Sequence, residues 1–359
     1  MRIVCLNCGR PYPDAGAPFQ CPRCGGLFDD AEPIRWQGAE PLRAGIWRFT
    51  PTLGAMGVTV SLGEGNTPMV GAEVLGRTVY FKCEHLNPTG SFKDRGTAAI
   101  VSFLASRAVA RAIEDSSGNA GASFAAYAAR AGIGATVYLP EDSAGPKRRQ
   151  IEMYGAEVVA VPGPRSQAGL AARLAAEGGA VYASHAYLPH NISGYATCAY
   201  EIWEQLGAAP GAVVAPAGQG GLLLGLGRGF RALFDAGLID SMPMLIGVQA
   251  QVCAPLAAAF EIGVGGLALV TEAETLAEGV RIRTPLRAEA IVKMVRESGG
   301  GFVTVPEDQI LPGRDALAQM GFYVEPTSAL VWQALPTALP GLPDPVVAVL
   351  TGSGYKATK

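Results

Sequence analysis

The chain has 359 residues, 28 Lys and Arg against 31 Asp and Glu, and a formal net charge of −3. With 49% hydrophobic and only 16% charged residues it can bury large cores, which excludes a disordered chain and suggests two or three domains. The near-neutral balance argues against a nucleic-acid partner; no uncharged apolar run reaches bilayer length and no signal-peptide core opens the chain, so a cytoplasmic protein without membrane contact is expected.

Cys5-x-x-Cys8-Gly9 and Cys21-x-x-Cys24-Gly25 are matching knuckles with twelve residues between them. Each turn can point two thiolates at one ion, and four thiolates close a tetrahedral zinc site with no open position. A structural zinc is expected on Cys5, Cys8, Cys21 and Cys24, with two redox dithiols as the alternative. Metal binding would supply the folding energy of so short a segment. Cys83, Cys198 and Cys253 have no ligand spacing and read as core thiols in a reducing compartment. Residues 29–60 read as irregular, anchored by Trp36 and Trp47. Gly63-Glu64-Gly65-Asn66-Thr67-Pro68 is a turn cluster.

The apolar run Thr78-Val79-Tyr80-Phe81 predicts a strand, and 97–110 a helix. Between them lies Asn87-Pro88-Thr89-Gly90-Ser91-Phe92-Lys93-Asp94-Arg95-Gly96. Lys93 thus enters a helix, where cations are disfavoured. A lowered pKa there suits a lysine that must become a neutral nucleophile; the plainer alternative is a surface lysine in a turn. Ser116-Ser117-Gly118-Asn119-Ala120-Gly121 then precedes a helix predicted over 122–131, with Phe124 and Tyr127 at core spacing. Its hydroxyls and free amides exceed what an N-cap needs and make a seat for a carboxylate.

Strands and helices alternate from here. Strands are predicted at 135–139, 157–161, 212–215, 244–248 and 346–350, and helices at 147–154, 167–177 and 194–206. Uninterrupted β-branched strands of this kind imply parallel sheets covered on both faces, with ligands at the carboxyl ends of the strands. The strand at 212–215 runs into Pro216-Ala217-Gly218-Gln219-Gly220-Gly221-Leu222, a turn able to wrap amides around a phosphate. It is neither a P-loop nor the dinucleotide fingerprint, since no Gly-Lys-Ser/Thr follows and residue 223 is Leu. The last strand ends in Thr351-Gly352-Ser353-Gly354. A lysine, a carboxylate seat, a phosphate cradle and a terminal hydroxyl together suit a phosphorylated aldehyde held as a Schiff base.

On these motifs the chain resembles the fold-type II pyridoxal-phosphate enzymes, most closely the threonine synthase family. The family's Asn-Pro-Thr-Gly-Ser-Phe-Lys-Asp-Arg-Gly motif stands complete at 87–96, Gly63 to Pro68 is similar to its Gly-Glu-Gly-x-Thr-Pro, and many members carry an N-terminal zinc ribbon. The resemblance implies a tryptophan synthase β-like α/β fold with two three-layer α/β domains. The ribbon would occupy 1–30, a large pyridoxal-phosphate domain 31–84 and 191–359, and a small mobile domain 85–190. It implies a lyase that makes L-threonine and phosphate from O-phospho-L-homoserine and water, acting on a small amino acid and assembled as a homodimer. Lys93 would attach pyridoxal phosphate and then shuttle protons. Asn119 would bond the ring's 3′-oxygen, Gly218, Gln219, Gly220, Gly221 and Leu222 would seat the phosphate, and Thr351 would meet the ring nitrogen. Ser116, Ser117, Asn119 and Ala120 would hold the substrate carboxylate.

Two departures bear on the substrate. The carboxylate loop reads Asn119-Ala120-Gly121 where threonine synthases usually have Asn-Thr-Ser, which is closer to serine and threonine dehydratases. The stretch His185-Ala186-Tyr187-Leu188-Pro189-His190-Asn191 has Ala186 and Asn191 where phosphohomoserine-binding members carry Ser and Arg. A dehydratase, or another elimination or replacement enzyme on a β-substituted amino acid, is the alternative. An inactive descendant that binds a partner is the remote one.

Overall fold

The computed structural model describes residues 2–54, 57–271 and 273–357. In chain order the strands are β1 (Ile3–Cys5), β2 (Phe28–Asp30), β3 (Met69–Val74), β4 (Arg77–Lys82), β5 (Arg111–Glu114), β6 (Gly134–Pro140), β7 (Glu157–Val161), β8 (Val181–Tyr182), β9 (Ala212–Pro216), β10 (Met244–Ala250), β11 (Gly301–Val305) and β12 (Val346–Val349). Contacts divide the chain into two compact units. The first holds Met1–Gly65 and Asn87–Gly194, the second Asn66–Leu86 and Tyr195–Ala357.

In the first unit β1 and β2 form a small antiparallel ribbon. Its main sheet is parallel throughout, in the order β7-β6-β5-β8. The helices Lys93–Ser106 and Asn119–Ala131 supply the core opposite β6: Val101 and Leu104 from one, Phe124 and Tyr127 from the other, with Val137 and Leu139 from the strand. Seven of the thirteen residues of Asn119–Ala131 are alanine, so that helix can be buried over most of its circumference.

The helix predicted over 97–110 begins at Lys93 and ends at Ser106. It starts early because Asp94 satisfies the preceding turn, as described below. It stops because Ala108 takes a left-handed φ of 53°, and the Val109 and Ala108 amides donate to the Leu104 and Ala105 carbonyls. That is a Schellman closure with alanine in the position glycine usually holds, so the sequence carries no stop signal.

The second unit is built on a six-stranded sheet, β11-β10-β9-β12-β4-β3. Every residue of β9 and β12 is buried, as their continuous apolar runs require. The sheet is parallel except at one edge, where β3 pairs antiparallel with β4. This edge departs from the all-parallel expectation. Leu75 and Gly76 both have positive φ, 52° and 76°, and close a two-residue hairpin that the sequence announces only through its glycine. Inside this unit Lys82 at the end of β4 is fully buried. Its ammonium donates to Glu201 Oε2 at 2.8 Å, to Gln205 Oε1 at 2.9 Å and to the Thr67 carbonyl at 2.7 Å.

Candidate active site

In the first unit Lys93 stands at the first position of its helix, half-buried, with Nζ 4.5 Å from the Phe92 ring centroid. The turn before it is fixed by Asp94. One carboxylate oxygen accepts from the Thr89 amide at 2.7 Å; the other accepts from the Thr89 and Ser123 hydroxyls, each at 2.6 Å. Gly90, at φ 84°, donates to the Asn87 carbonyl, and Asn87 Oδ1 accepts from the Gly65 amide at 2.9 Å. Glu64 completes the support: Trp47 Nε1 donates to it at 2.7 Å and the Tyr127 hydroxyl at 2.7 Å. The Gly63–Pro68 turn is therefore a buttress whose acid is buried, and Trp47 is the anchor expected of it.

Ser123 also ties Lys93's helix to the Asn119–Ala131 helix, whose start carries the expected carboxylate seat. Ser116 is buried and its Oγ accepts from the Gly118 amide at 3.2 Å. The helix begins at Asn119, three residues before its predicted start. A Cβ on Gly121 would come within 1.8 Å of the Ser116 carbonyl oxygen, so the loop can fold back on the helix only over glycine. Ser117, Asn119 and Ala120 lie on this same turn, and Ala120 is buried.

The second unit holds the remaining expected residues. Gly218 to Leu222 join β9 to the helix Gly221–Asp235, with Gly220 as a left-handed N-cap at φ 73°. A Cβ on Gly218 would meet the Gly279 carbonyl at 2.6 Å, and one on Gly220 would meet Ile291 at 2.4 Å. Close packing against these residues therefore requires glycine at both positions, and the first amides of a long helix follow the turn, a seat suited to phosphate. Gln219 Oε1 accepts from the Leu286 amide at 3.2 Å. Thr351 follows β12 and is buried. Its amide donates to Ser328 Oγ at 2.9 Å, while its own hydroxyl has no hydrogen-bond partner among the described residues. Ser353, by contrast, accepts from the Tyr355 amide and caps its own turn.

The two histidines of the 185–191 stretch part company. His190 is closed in, stacked on Phe103 at 3.8 Å between centroids and edge-on to Tyr12 at 5.8 Å. Burial, with Arg107 nearby, lowers its pKa to about 3, so it stays neutral. The Asn191 carboxamide is buried and donates to the His185 carbonyl. His185 instead bonds Glu114, with Nδ1 2.6 Å from Oε1. Burial pushes Glu114 well above the usual carboxylate range, and Asp115 adds to the rise. Burial pushes His185 well down, helped by the charges of Lys93 and Arg165. Glu114, Asp115 and Arg165 were not singled out from the sequence. Their one signal is that Glu114 and Asp115 lead directly into the Ser116 loop.

Near the N-terminus the four knuckle sulfurs lie within 4.8 Å of one another. Cys5 and Cys24 Sγ are 3.5 Å apart, Cys8 and Cys21 Sγ 3.7 Å. Gly9 and Gly25, both at φ 68°, donate to the Cys5 and Cys21 carbonyls and close the two turns. Cys83, Cys198 and Cys253 are buried, as core thiols should be.

A family profile described as "Pyridoxal-phosphate dependent enzyme" matches residues 60–352. The chain is 31% identical to a threonine synthase from Methanosarcina acetivorans over 98% of its own length and 91% of that protein's. It is 33% identical to one from Methanocaldococcus jannaschii, over 98% and 92% of the two chains. Among solved structures, the processed form of threonine deaminase isoform 2 from Solanum lycopersicum matches with a TM-score of 0.70 at 21% identity, covering 95% of this chain and 94% of that one, a likeness of fold. The lysine-bearing helix start and the glycine turn thus lie in a fold-type II chain, and the chain belongs to the pyridoxal-phosphate dependent enzymes, within the threonine synthase family.

Proposed function

We propose that this protein is a pyridoxal-phosphate-dependent lyase that converts O-phospho-L-homoserine and water to L-threonine and phosphate. The observation that carries this reading is the likeness to named threonine synthases across 98% of the chain. The residues present suit the cofactor. Thr351 has a buried hydroxyl without a partner among the described residues, and the glycine turn stands at the N-terminus of a long helix, whose first amides suit a phosphate. Lys93 would attach the cofactor and Asn119 would bond its ring oxygen. Gly218, Gln219, Gly220, Gly221 and Leu222 would seat its phosphate, and Thr351 would meet its ring nitrogen. Bound there, pyridoxal phosphate supplies an electron sink for the amino acid's α-carbon.

The protein's own part is binding and proton transfer. Ser116, Ser117, Asn119 and Ala120 hold the substrate carboxylate with hydroxyls and backbone amides. Lys93 Nζ, once free, takes and returns protons at the substrate carbons. Thr351 offers the ring a hydroxyl without the negative charge of an aspartate, which favours elimination and replacement over chemistry that needs a protonated ring.

A second reading, a serine or threonine dehydratase, is favoured by one observation. Asn191, at the place of the phosphate-gripping Arg, spends its buried amide on the His185 carbonyl. Purified, cofactor-loaded protein separates the two: phosphate release from O-phosphohomoserine is expected, and oxo-acid release from serine or threonine alone would overturn the synthase reading.

The Cys5, Cys8, Cys21 and Cys24 cluster suits a structural zinc ion. Four Zn–S bonds of ~2.3 Å place tetrahedral sulfurs ~3.8 Å apart, close to the separations here and far from the ~2 Å of a disulfide. Among the described residues no helix is long and apolar enough to cross a membrane. A cytoplasmic homodimer is the corresponding reading of location and assembly, checked by sedimentation of the purified chain.

A further inference from the structure

The buried pair Glu114 and His185 has no role in the scheme above. Glu114 ends β5, and the residues after it form the loop assigned to the substrate carboxylate. His185 lies just past β8, the parallel neighbour of β5. Both therefore stand at the carboxyl ends of parallel strands, where such sheets bind ligands. The Glu114 side chain is 1% exposed and that of His185 11%, so the accessible part of the pair is the imidazole. Glu114 Oε2 has no hydrogen-bond partner among the described residues.

These facts fix what the imidazole presents. A carboxyl sealed from water with one oxygen unbonded retains its proton. It then donates to Nδ1, and a neutral imidazole that accepts at Nδ1 carries its hydrogen on Nε2. If the shared proton moves to Nδ1, Nε2 still carries one. In both states the accessible ring nitrogen is a donor. The charges that act on the pair are Lys93 and Arg165 on one side of the balance and Asp115 on the other. Arg165 opens the helix Arg165–Glu177 and makes no hydrogen bond or ion pair to a described residue.

We propose that His185, positioned by Glu114, recognises an oxygen substituent on the distal carbon of the amino-acid substrate by donating from Nε2, with the Arg165 guanidinium as the anion partner when that oxygen belongs to a phosphate. This deepens the lyase reading and rests on it. It also assigns the leaving-group side of the site to residues other than His190, which is stacked on Phe103, and Asn191, whose amide nitrogen donates to the His185 carbonyl.

The test uses the full cofactor-loaded chain with His185→Ala, His185→Gln and Arg165→Ala. Turnover is measured on O-phosphohomoserine and on serine. Binding of L-2-aminobutyrate, which has the carboxylate but no distal oxygen, is followed through the cofactor's visible absorbance. His185→Ala is expected to lower kcat/KM about 100-fold on every oxygen-bearing substrate that wild type turns over, and His185→Gln to recover part of it. Affinity for 2-aminobutyrate should not change. Arg165→Ala is expected to raise KM about tenfold for O-phosphohomoserine and to weaken inhibition by inorganic phosphate, leaving serine turnover alone. Unchanged turnover in His185→Ala, or an equal loss of 2-aminobutyrate binding, would overturn the proposal. A wild type that releases no phosphate defeats the synthase reading alone, since the His185 arm is still scored on serine.

Discussion

Lys93 carries a positive charge at the end of a helix that repels one. Asp94, the acid beside it, accepts from Thr89 and Ser123 with its two oxygens and so holds the turn. Because the turn is held by these bonds, removal of the lysine should leave it standing. Lys93→Ala is expected to keep the fold, measured by circular dichroism, and to lose turnover together with the chromophore that borohydride fixes to the wild-type chain. Retained turnover in that variant refutes the assigned role. Thr351 is the second case. Its hydroxyl is buried without a partner, while Ser353 two residues on already caps the Tyr355 turn. Thr351→Ala should cut kcat about tenfold, the worth of one lost hydrogen bond to a polar centre, while cofactor affinity changes less. Titration with the cofactor beside steady-state rates checks the split; an unchanged rate points to Ser353.

At the scale of elements, what the sequence revealed follows from how each element is stabilised. β9 and β12 are buried on both faces, so they had to be written as unbroken apolar runs and could be read as such. The Lys93, Ser116 and Gly218 turns were legible because glycine and hydroxyl clusters have few other uses. β3, β5, β8 and β11 were not. β8 has two residues, β5 ends in a charged one, and β3 is an edge strand closed by a hairpin with leucine at a left-handed position. The His185–Glu114 pair was illegible for a different reason: its members come from neighbouring parallel strands far apart in sequence, and only the register of β5 on β8 joins them. Lys82 is similar. It reads as the polar end of a strand, yet it is fully buried on Glu201, whose other oxygen accepts from the Asn66 amide. Lys82→Met would remove the buried cation that Glu201 faces, a change that costs about 3–5 kcal/mol. A urea titration of the cofactor-free protein is expected to show the second unit unfolding earlier by that margin; a shift under ~1 kcal/mol means water reaches Glu201.

At the scale of the whole molecule, the cysteine knuckles fall within the first compact unit. Tyr12, between the knuckles, lies edge-on to Phe103 at 5.6 Å, and its hydroxyl donates to the Pro18 carbonyl at 2.8 Å. Arg107, at the end of Lys93's helix, donates to the Pro13 carbonyl at 3.0 Å and its guanidinium lies over Phe103. The ribbon therefore packs on the far end of the helix that begins with Lys93. Its local core is only Cys5, Cys21 and Phe28 with Ile3 and Tyr12 packed against them, too little to hold a fold without an ion. Metal analysis is expected to find one zinc per chain. Cys8→Ser, which removes an exposed sulfur of the cluster without opening the core, should lower zinc retention at least tenfold and reduce the thermal midpoint of the first unit. Lys93 should still bind the cofactor at low temperature, because the turn around it is held by Asp94 and not by the ribbon. Thermal scans of the variant and of chelator-treated wild type, read by far-ultraviolet circular dichroism and by cofactor absorbance together, check this. Full zinc retention by Cys8→Ser would show that this sulfur is not a ligand, and an unchanged melting profile after zinc is stripped would show that the ribbon does not brace the helix.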